Sequence, residues 1–287
     1  MGEAADLALL QQLCAGLSTI AARADDTHWA ATWSEQRATL TDSFDRLEAL
    51  IRRVDPQAAT SLLTDPQTLA AAPALRRLRS RYETETERQA AREILATPAP
   101  GSAMRRVLAA HYGATTIHSP TFAEQIRNRH SCLIIGSGPL PVTAALLLDQ
   151  TALALTCLDR DRASCELGAK IIEALDVRPV ATRQADALHL TDLACWDVIM
   201  VTALADDGDA PGDGHQRLIA HLADHCLPGT LLCLRTPYAL GELLYPVVDT
   251  APLHRCSIDL IPSPRQGRSS MVLAQLDPSV ASSGAEA

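Results

Sequence analysis

The sequence predicts an α/β protein in which a doubly wound, largely parallel sheet follows an N-terminal helical domain. Leucine-rich stretches at three- and four-residue spacing fill roughly the first 125 residues. From Ser131 onward, short apolar runs alternate with helix-forming stretches, as in a sheet with crossover helices. A glycine turn lies between the first of these runs and its helix. We expect domains at 1–125 and 126–277, and a disordered tail at 278–287.

The helical domain is expected to contain several separate helices. Apolar residues recur at helical spacing over 7–20 and over 40–51, the second run after Ser34, the expected N-cap. The pairs Asp55-Pro56 and Asp65-Pro66 and the Pro/Gly cluster at 97–101 predict loops. Further helices are predicted over 73–96 and 102–111.

The second domain is expected to alternate strands and helices. Strands are predicted at 132–135, 153–158, 179–184, 196–202, 230–235, 254–260 and 270–276, and helices at 140–149, 162–175, 214–226 and 238–246. The last two strands have no helix between them, so we expect an antiparallel hairpin at the sheet edge.

The turn Gly136-Ser137-Gly138-Pro139 predicts a nucleotide site. Glycines let a strand-to-helix turn approach a ligand closely, and Asp159 ends the second apolar run, where an acid can bind ribose hydroxyls. Position 141 is proline, where a dinucleotide fingerprint requires glycine or alanine. This favours S-adenosylmethionine over NAD in a Rossmann-like fold. The alternative is a glycine turn needed only for tight packing.

Two further acids follow predicted strands. Asp161 comes after the second strand and Asp186 after the third, so with Asp159 they would face the crevice at the carboxyl ends of the strands. We expect all three to bind the cosubstrate. The alternative for each is a helix N-cap or a solvated loop position.

The ends of the fourth and fifth strands supply the remaining candidates. Ala203 and Leu204 leave space for a ligand above the fourth strand. Arg235 and Tyr238 bring a cation and a phenol to the end of the fifth, where an arginine binds a carboxylate bidentately. We assign both to the substrate, with a surface ion pair as the alternative for Arg235.

Composition excludes several function classes. The net charge of −9 argues against nucleic acid, and the eight cysteines form no C-x-x-C pair, as expected of reduced core residues in a cytoplasmic protein. We find no apolar run as long as a membrane span and no signal peptide, so no membrane partner is expected. His221 and His225 lie one helical turn apart, near His215, but without a suitably spaced further ligand, so no metal is expected.

Four segments of the second half of the chain follow one another in a telling order: IIGSGPLPVTAALL, LDRDRASCELGAKIIEAL, WDVIMVTALAD and PGTLLCLRTPYALGELLYPVVD. In that order they resemble the nicotianamine synthase family, which includes bacterial histidine aminobutanoyltransferases of opine metallophore biosynthesis. It implies transfer of the 3-amino-3-carboxypropyl (aminobutanoyl) group of S-adenosylmethionine to the amine of an amino acid, histidine being the expected acceptor, with release of methylthioadenosine. A downstream opine-type dehydrogenase and a homodimer are implied as well. The alternatives are a small-molecule methyltransferase and a binding module without catalysis.

The resemblance also implies a catalytic glutamate on an N-terminal-domain helix and a tyrosine before the first strand. Positions 75, 78, 82, 85 and 89 share one helical stripe, so Glu85 is expected to face inward, where desolvation suits a carboxylate to act as a base. Glu83 and Glu87 share another face and are expected to pair with Arg79 or Arg88 in solvent. The family's E-x-E pattern fits 83 and 85 or 85 and 87. We take Glu85, Glu83 and Tyr112 as catalytic candidates; the alternative is a set of solvated surface acids.

Overall fold

The computed structural model describes residues 3–24, 29–111, 116–202, 213–262 and 269–277. The chain divides into two compact units. The helical unit comprises Met1–Glu83, Ala205–Gly214 and Pro237–Val247, and the sheet unit comprises Thr84–Leu204, His215–Thr236 and Val248–Ala287. The predicted disordered tail at 278–287 lies outside the described residues.

The sheet unit contains, among the described residues, a seven-stranded sheet of order β3-β2-β1-β4-β5-β7-β6. The strands are β1 (Ser131–Ile135), β2 (Ala154–Asp159), β3 (Ala181–Gln184), β4 (Val198–Val201), β5 (Leu231–Pro237), β6 (Cys256–Ile261) and β7 (Ser269–Leu276). The first five are parallel, and β6 pairs antiparallel with β7. The predicted doubly wound sheet with an antiparallel edge hairpin is confirmed.

Both faces of the central strands β1, β4 and β5 are buried, which is why these strands read as nearly continuous apolar runs. Cys132 and Ile134 of β1 belong to the hydrophobic core on one face, and Leu133 and Ile135 belong to the core on the other. This alternation follows from the two-residue period of a strand. The carboxyl end of β1, where the glycine turn begins, is therefore held between two packed layers.

Helices in the sheet unit cover this sheet. They are the part of α4 (Pro66–Leu95) from Thr84 onward, α5 (Pro100–His111), α6 (Pro120–Ile126), α7 (Val142–Gln150), α8 (Arg162–Ala174) and most of α9 (Asp213–His225). The unit begins about forty residues before the domain boundary predicted at 125/126. The reason is packing: Ile94, Met104 and Phe122 share one hydrophobic core with Ile134 of β1.

The helical unit contains α1 (Glu3–Ala21), α2 (Trp29–Arg53), α3 (Pro56–Leu63), the first part of α4 and a 3-10 helix at Ala239–Leu243. Its core contains the predicted apolar positions Leu10 and Leu17 of α1 and Leu40 and Phe44 of α2, all fully buried. Helix α2 begins before Ser34, so the predicted N-cap there is wrong. Trp29 and Trp33 stack one turn apart within the helix, with ring centroids 6.1 Å apart.

The two Asp-Pro pairs begin helices, which corrects their assignment as loops. Asp55 accepts a hydrogen bond from the Gln57 N–H and caps α3, with Pro56 in the first turn. Asp65 accepts one from the Thr68 N–H at the start of α4. An aspartate cap followed by proline suits a helix start, because proline lacks a donor that the first turn would leave unpaired.

The predicted helix at 238–246 is a short 3-10 helix. Proline at 237 and at 246 flanks it, and Ala239 has a φ of 49°. A residue before proline is disfavoured in the α conformation, so the segment cannot extend into a regular helix.

Helix α1 corrects the expectation about membrane-length apolar runs. Its window Ala4–Ala21 reaches the length and hydropathy of a membrane span, with a mean hydropathy of 1.3. Length and composition alone are weak evidence for a span. In the helical unit, α1 packs on α2 and buries Leu10, Leu13 and Leu17.

Candidate functional site

The glycine turn after β1 has a backbone that other residues rarely adopt. Gly136 has a φ of 74° and Gly138 a φ of 69°. The N–H groups of Gly136 and Ser137 both donate to the Leu158 carbonyl, at 2.8 and 3.1 Å. The left-handed conformation favours glycine. The path of the chain as it leaves β1 beside β2 therefore favours glycine at 136 and 138.

Asp159 closes this turn. Its Oδ2 accepts a hydrogen bond from the Gly138 N–H at 3.0 Å, and its Oδ1 accepts one from the Asp161 N–H at 2.9 Å. The structure thus brings Gly136, Ser137, Gly138 and Pro139 together with Asp159 at the end of β2. Each carboxylate oxygen has two lone pairs, so both can accept a further donor such as a ribose hydroxyl.

Asp161 and Asp186 are both helix N-caps, which is the alternative to a ligand-binding role for each of them. Asp161 accepts a hydrogen bond from the Ser164 N–H at 2.6 Å at the start of α8, and Asp186 accepts one from the Leu188 N–H at 3.0 Å. Burial raises the pKa of Asp161, but hydrogen bonds from Ser164 and Arg88 lower it by more, so it lies below its usual range. Their roles as cosubstrate ligands stay predictions.

Within the sheet unit, α4 brings two acids toward this end of the sheet. Arg88 links Glu85 to Asp161, with its Nη1 2.5 Å from Glu85 Oε1 and its Nη2 3.0 Å from Asp161 Oδ2. The Glu85 side chain is only 19% exposed, in keeping with an inward position. Glu87 lies against the turn: a Cβ added to Gly138 would be 2.8 Å from Glu87 Oε2. Of the acids left open on this helix, Glu87 is therefore the one placed beside the glycine turn.

Glu83 belongs to the helical unit and forms a cluster there with Arg79, Glu48 and Tyr245, which we call the Arg79 cluster. The predicted pairing of Arg79 with Glu83 occurs, but the Arg79 side chain is buried and only the Glu83 side chain is partly exposed to solvent. Burial lowers the pKa of Arg79, and the neighbouring Glu83, Tyr245 and Glu48 raise it by more, so it lies above its usual range. Sequence reasoning did not single out Tyr245, although it lies in the LLYPVVD segment of the family resemblance.

The remaining candidates are placed as follows. Arg235 on β5 is half-buried and donates from Nε to Ser269 Oγ at 3.4 Å, so the structure gives it a neutral partner there. The Tyr238 side chain is exposed. Three predicted site residues lie outside the described residues: Tyr112, Ala203 and Leu204.

The histidines of α9 form a local pair. His225 Nδ1 lies 2.9 Å from the His221 carbonyl, and the two rings are 4.3 Å apart. In the part of the chain that the structure describes, no group of three or more His, Cys, Asp or Glu side chains is arranged to hold a metal ion.

Comparison with known proteins identifies relatives of this chain. The sequence model of the family described as "Nicotianamine synthase protein" matches residues 34–275. Nicotianamine synthase 3 of Oryza sativa subsp. indica is 31% identical over 134 residues, which cover 44% of this chain and 38% of that protein. Nicotianamine synthase 1 of Arabidopsis thaliana is 31% identical over 127 residues, 42% of this chain and 38% of that protein. The chain thus matches less than half the length of these relatives.

Solved structures share the fold. A glutamate-to-glutamine mutant of MtNAS in complex with S-adenosylmethionine superposes with a TM-score of 0.73 at 20% identity, covering 95% of this chain and 98% of that one. MtNAS in complex with MTA and tNA superposes with a TM-score of 0.72 at 22% identity, covering 92% and 97%. Each superposition covers residues of both the helical and the sheet units.

Proposed function

Because this chain belongs to the nicotianamine synthase family, we propose that it transfers the 3-amino-3-carboxypropyl group of S-adenosylmethionine to the amine of an amino acid. Methylthioadenosine is the second product. We take histidine as the acceptor, in the cytoplasm, as part of metallophore biosynthesis. The product would carry an additional amine and carboxylate beside an imidazole, a donor set suited to first-row transition metals.

One observation carries this proposal: the glycine turn closes on the carboxylate of Asp159. Two glycines of positive φ expose the backbone at the end of β1, and Asp159 holds Gly138 while retaining lone pairs for ribose hydroxyls. Gly168 lets α8 pack closely on this turn, because a Cβ there would lie only 3.0 Å from the Gly138 carbonyl oxygen. The residues present therefore suit an adenosine-bearing substrate approaching the turn closely.

The chemistry is a substitution at the methionine carbon next to sulfur. The neutral acceptor amine forms a bond to this carbon while the carbon–sulfur bond breaks, and its electron pair stays on the sulfur of methylthioadenosine. The amine then loses a proton to a base. Geometry selects this carbon over the methyl group, since the sulfonium activates both. Glu85, Glu83 and Tyr112 remain our candidates for this step, and the position of Glu87 beside Gly138 adds a fourth.

Mass spectrometry of small molecules tests the proposal. The protein is incubated with S-adenosylmethionine and a mixture of amino acids. Methylthioadenosine, together with one acceptor heavier by the aminobutanoyl group, is the expected result and identifies the acceptor. S-adenosylhomocysteine with a methylated acceptor would contradict the proposed transfer and indicate a methyltransferase.

A paired substitution tests the site itself. Asp159→Asn should weaken S-adenosylmethionine binding by ~10- to 100-fold, because hydrogen bonds to a charged group contribute about 1.5–3 kcal/mol. The matched control is Asp192→Asn, which alters a carboxylate that pairs with Arg183 at the surface of the same unit. Calorimetric titration with S-adenosylmethionine measures both. Equal affinities of the two variants would overturn the role of Asp159.

A further inference from the structure

The hydrogen bonds of the Arg79 cluster converge on one oxygen of Glu83. Oε1 accepts hydrogen bonds from Arg79 Nε at 2.9 Å and from the Tyr245 hydroxyl at 2.5 Å, and Arg79 Nη2 lies 2.7 Å from it in an ion pair. Across the described ranges, no hydrogen bond reaches Oε2 from the protein, and the side chain is 36% exposed. The carboxylate is thus held by one oxygen, while the other is left to accept a further donor.

The groups that hold Glu83 are themselves fixed. The Arg79 guanidinium lies over the rings of Phe44, Tyr82 and Tyr245, with its Cζ 5.0, 5.5 and 5.8 Å from their centroids. Its Nη2 also lies 2.7 Å from Oε1 of the buried Glu48, which balances the cation with a second carboxylate. An arginine fork packed on aromatic faces loses little rotamer freedom per hydrogen bond, so it positions its partners rigidly.

Stability alone is a poor reason for this arrangement. Burying charges carries a desolvation penalty, and well-packed apolar residues often replace a buried ion pair without loss of stability. Tyr245 contributes a further donor from a segment 162 positions away along the chain. Two hydrogen bonds from distant parts of the chain, together with the ion pair, hold one carboxylate oxygen and so constrain the direction of the other, as a reacting or binding group requires.

We propose that Arg79 and Tyr245 are positioning residues that hold Glu83 by Oε1 so that Oε2 accepts a hydrogen bond from the amine of the acceptor. The inference rests on the proposed aminobutanoyl transfer. Its substrate class is a primary amine, and the role of Glu83 is to hold and orient the nitrogen of that amine.

The experiment compares Tyr245→Phe with Tyr82→Phe. Tyr82 is the matched control, because its ring also lies against Arg79 but its hydroxyl donates to Thr41 Oγ1 at 3.2 Å and makes no bond to Glu83. We expect Tyr245→Phe to lower kcat for methylthioadenosine release by ~10- to 100-fold, with KM for S-adenosylmethionine unchanged. Tyr82→Phe should leave kcat unchanged. The melting temperatures of both variants show whether either loss merely reflects unfolding.

A double-mutant cycle with Glu83→Gln separates positioning from a merely structural role. Glutamine can still accept from Arg79 and Tyr245 through its carbonyl, but its amide NH₂ replaces the oxygen that would receive the amine. If Tyr245 acts through Glu83, adding Tyr245→Phe to Glu83→Gln lowers kcat no further. Effects that multiply in the double variant, or a Tyr245→Phe kcat equal to that of Tyr82→Phe, would overturn the positioning role alone. Release of S-adenosylhomocysteine by the wild type would instead overturn the proposed transfer and, with it, this role of Glu83.

Discussion

Substitution of Gly138 by alanine separates the conformational cost of the turn from its role in binding. At a φ of 69°, alanine costs about 1–2 kcal/mol relative to glycine. The unfolded chain loses freedom as well, which offsets about 0.4–1 kcal/mol of this. The added Cβ would lie 2.8 Å from Glu87 Oε2, the far end of a side chain that can rotate away. We therefore expect a net destabilisation of only about 1 kcal/mol, but a displaced carboxylate beside the turn.

The matched control is Gly229→Ala. Gly229 has a φ of 91°, and a Cβ there would meet no atom within 4 Å. Its turn precedes β5, whereas Gly138 follows β1. The two variants should lose similar free energies of unfolding in urea. Only Gly138→Ala should weaken S-adenosylmethionine binding, by about tenfold or more, which corresponds to ~1.4 kcal/mol. Calorimetric titration measures this difference.

Two results would refute this reasoning. Wild-type stability of Gly138→Ala would show that the positive φ imposes no strain on alanine at this position. Wild-type affinity of Gly138→Ala for S-adenosylmethionine would show that the turn and Glu87 do not line its site. In that second case, the adenosine-binding role assigned to the closed turn would be wrong as well.

Three further predictions concern stability and reactivity. Arg79→Met should destabilise the protein by about 3–5 kcal/mol in urea unfolding, because it leaves the buried Glu48 carboxylate without its cation. Arg162→Met at an exposed pair should change the free energy of unfolding by less than about 1 kcal/mol. Equal effects would contradict the burial argument. Backbone N–H donors, above all, hold the pKa of Asp197 below its usual range, so the stability that this carboxylate adds is present above the unfolded pKa and lost as pH falls through the folded pKa. The difference in unfolding free energy between wild type and Asp197→Asn should be constant from about pH 5 upward and shrink toward pH 3. A difference that persists at low pH would contradict this. Burial raises the pKa of Cys157 to about 12, so a thiol reagent should label the exposed Cys195 first and the buried Cys157 only on unfolding. Labelling of Cys157 in the folded protein, located by peptide mass spectrometry, would contradict this assignment.

The sheet was predictable because its physics is local and periodic. A parallel strand buried on both faces must be apolar throughout, and β1 and β4 show this directly. The turn at Gly136 and Gly138 was predictable for a related reason, since few residues other than glycine accept that backbone.

The helical unit was harder to predict because helix and loop signals overlap there. An aspartate followed by proline marks a turn in many sequences, yet at Asp55 and Asp65 the same pair caps a helix. Pro73 lies inside α4, which runs without a break from Pro66 to Leu95. Tertiary packing overrode the preference of proline at this position, and no local pattern contains that information.

The Arg79 cluster shows more clearly what the sequence pattern does not predict. Helical periodicity placed Glu83 and Arg79 on one face, but it assigned that face to solvent. Arg79 is instead buried and contacts Glu48 and Tyr245, which lie 31 positions before it and 166 positions after it. Contacts between such distant segments depend on the path of the chain, and the pattern of a single sequence does not reveal that path.

The segment Pro237–Val247 has a consequence for the order in which the protein can be completed during synthesis. It belongs to the helical unit, where the Glu242 carbonyl accepts hydrogen bonds from Arg76 and where Leu240 and Leu243 are buried. The ribosome makes α1 to α4 first, yet their packing partner emerges only after five strands of the other unit have been translated. At roughly 5–20 residues per second, the interval from position 83 to position 247 lasts about 10–30 s. The first helices must therefore remain soluble while unfinished, and a fragment that ends before position 237 would lack part of its own core.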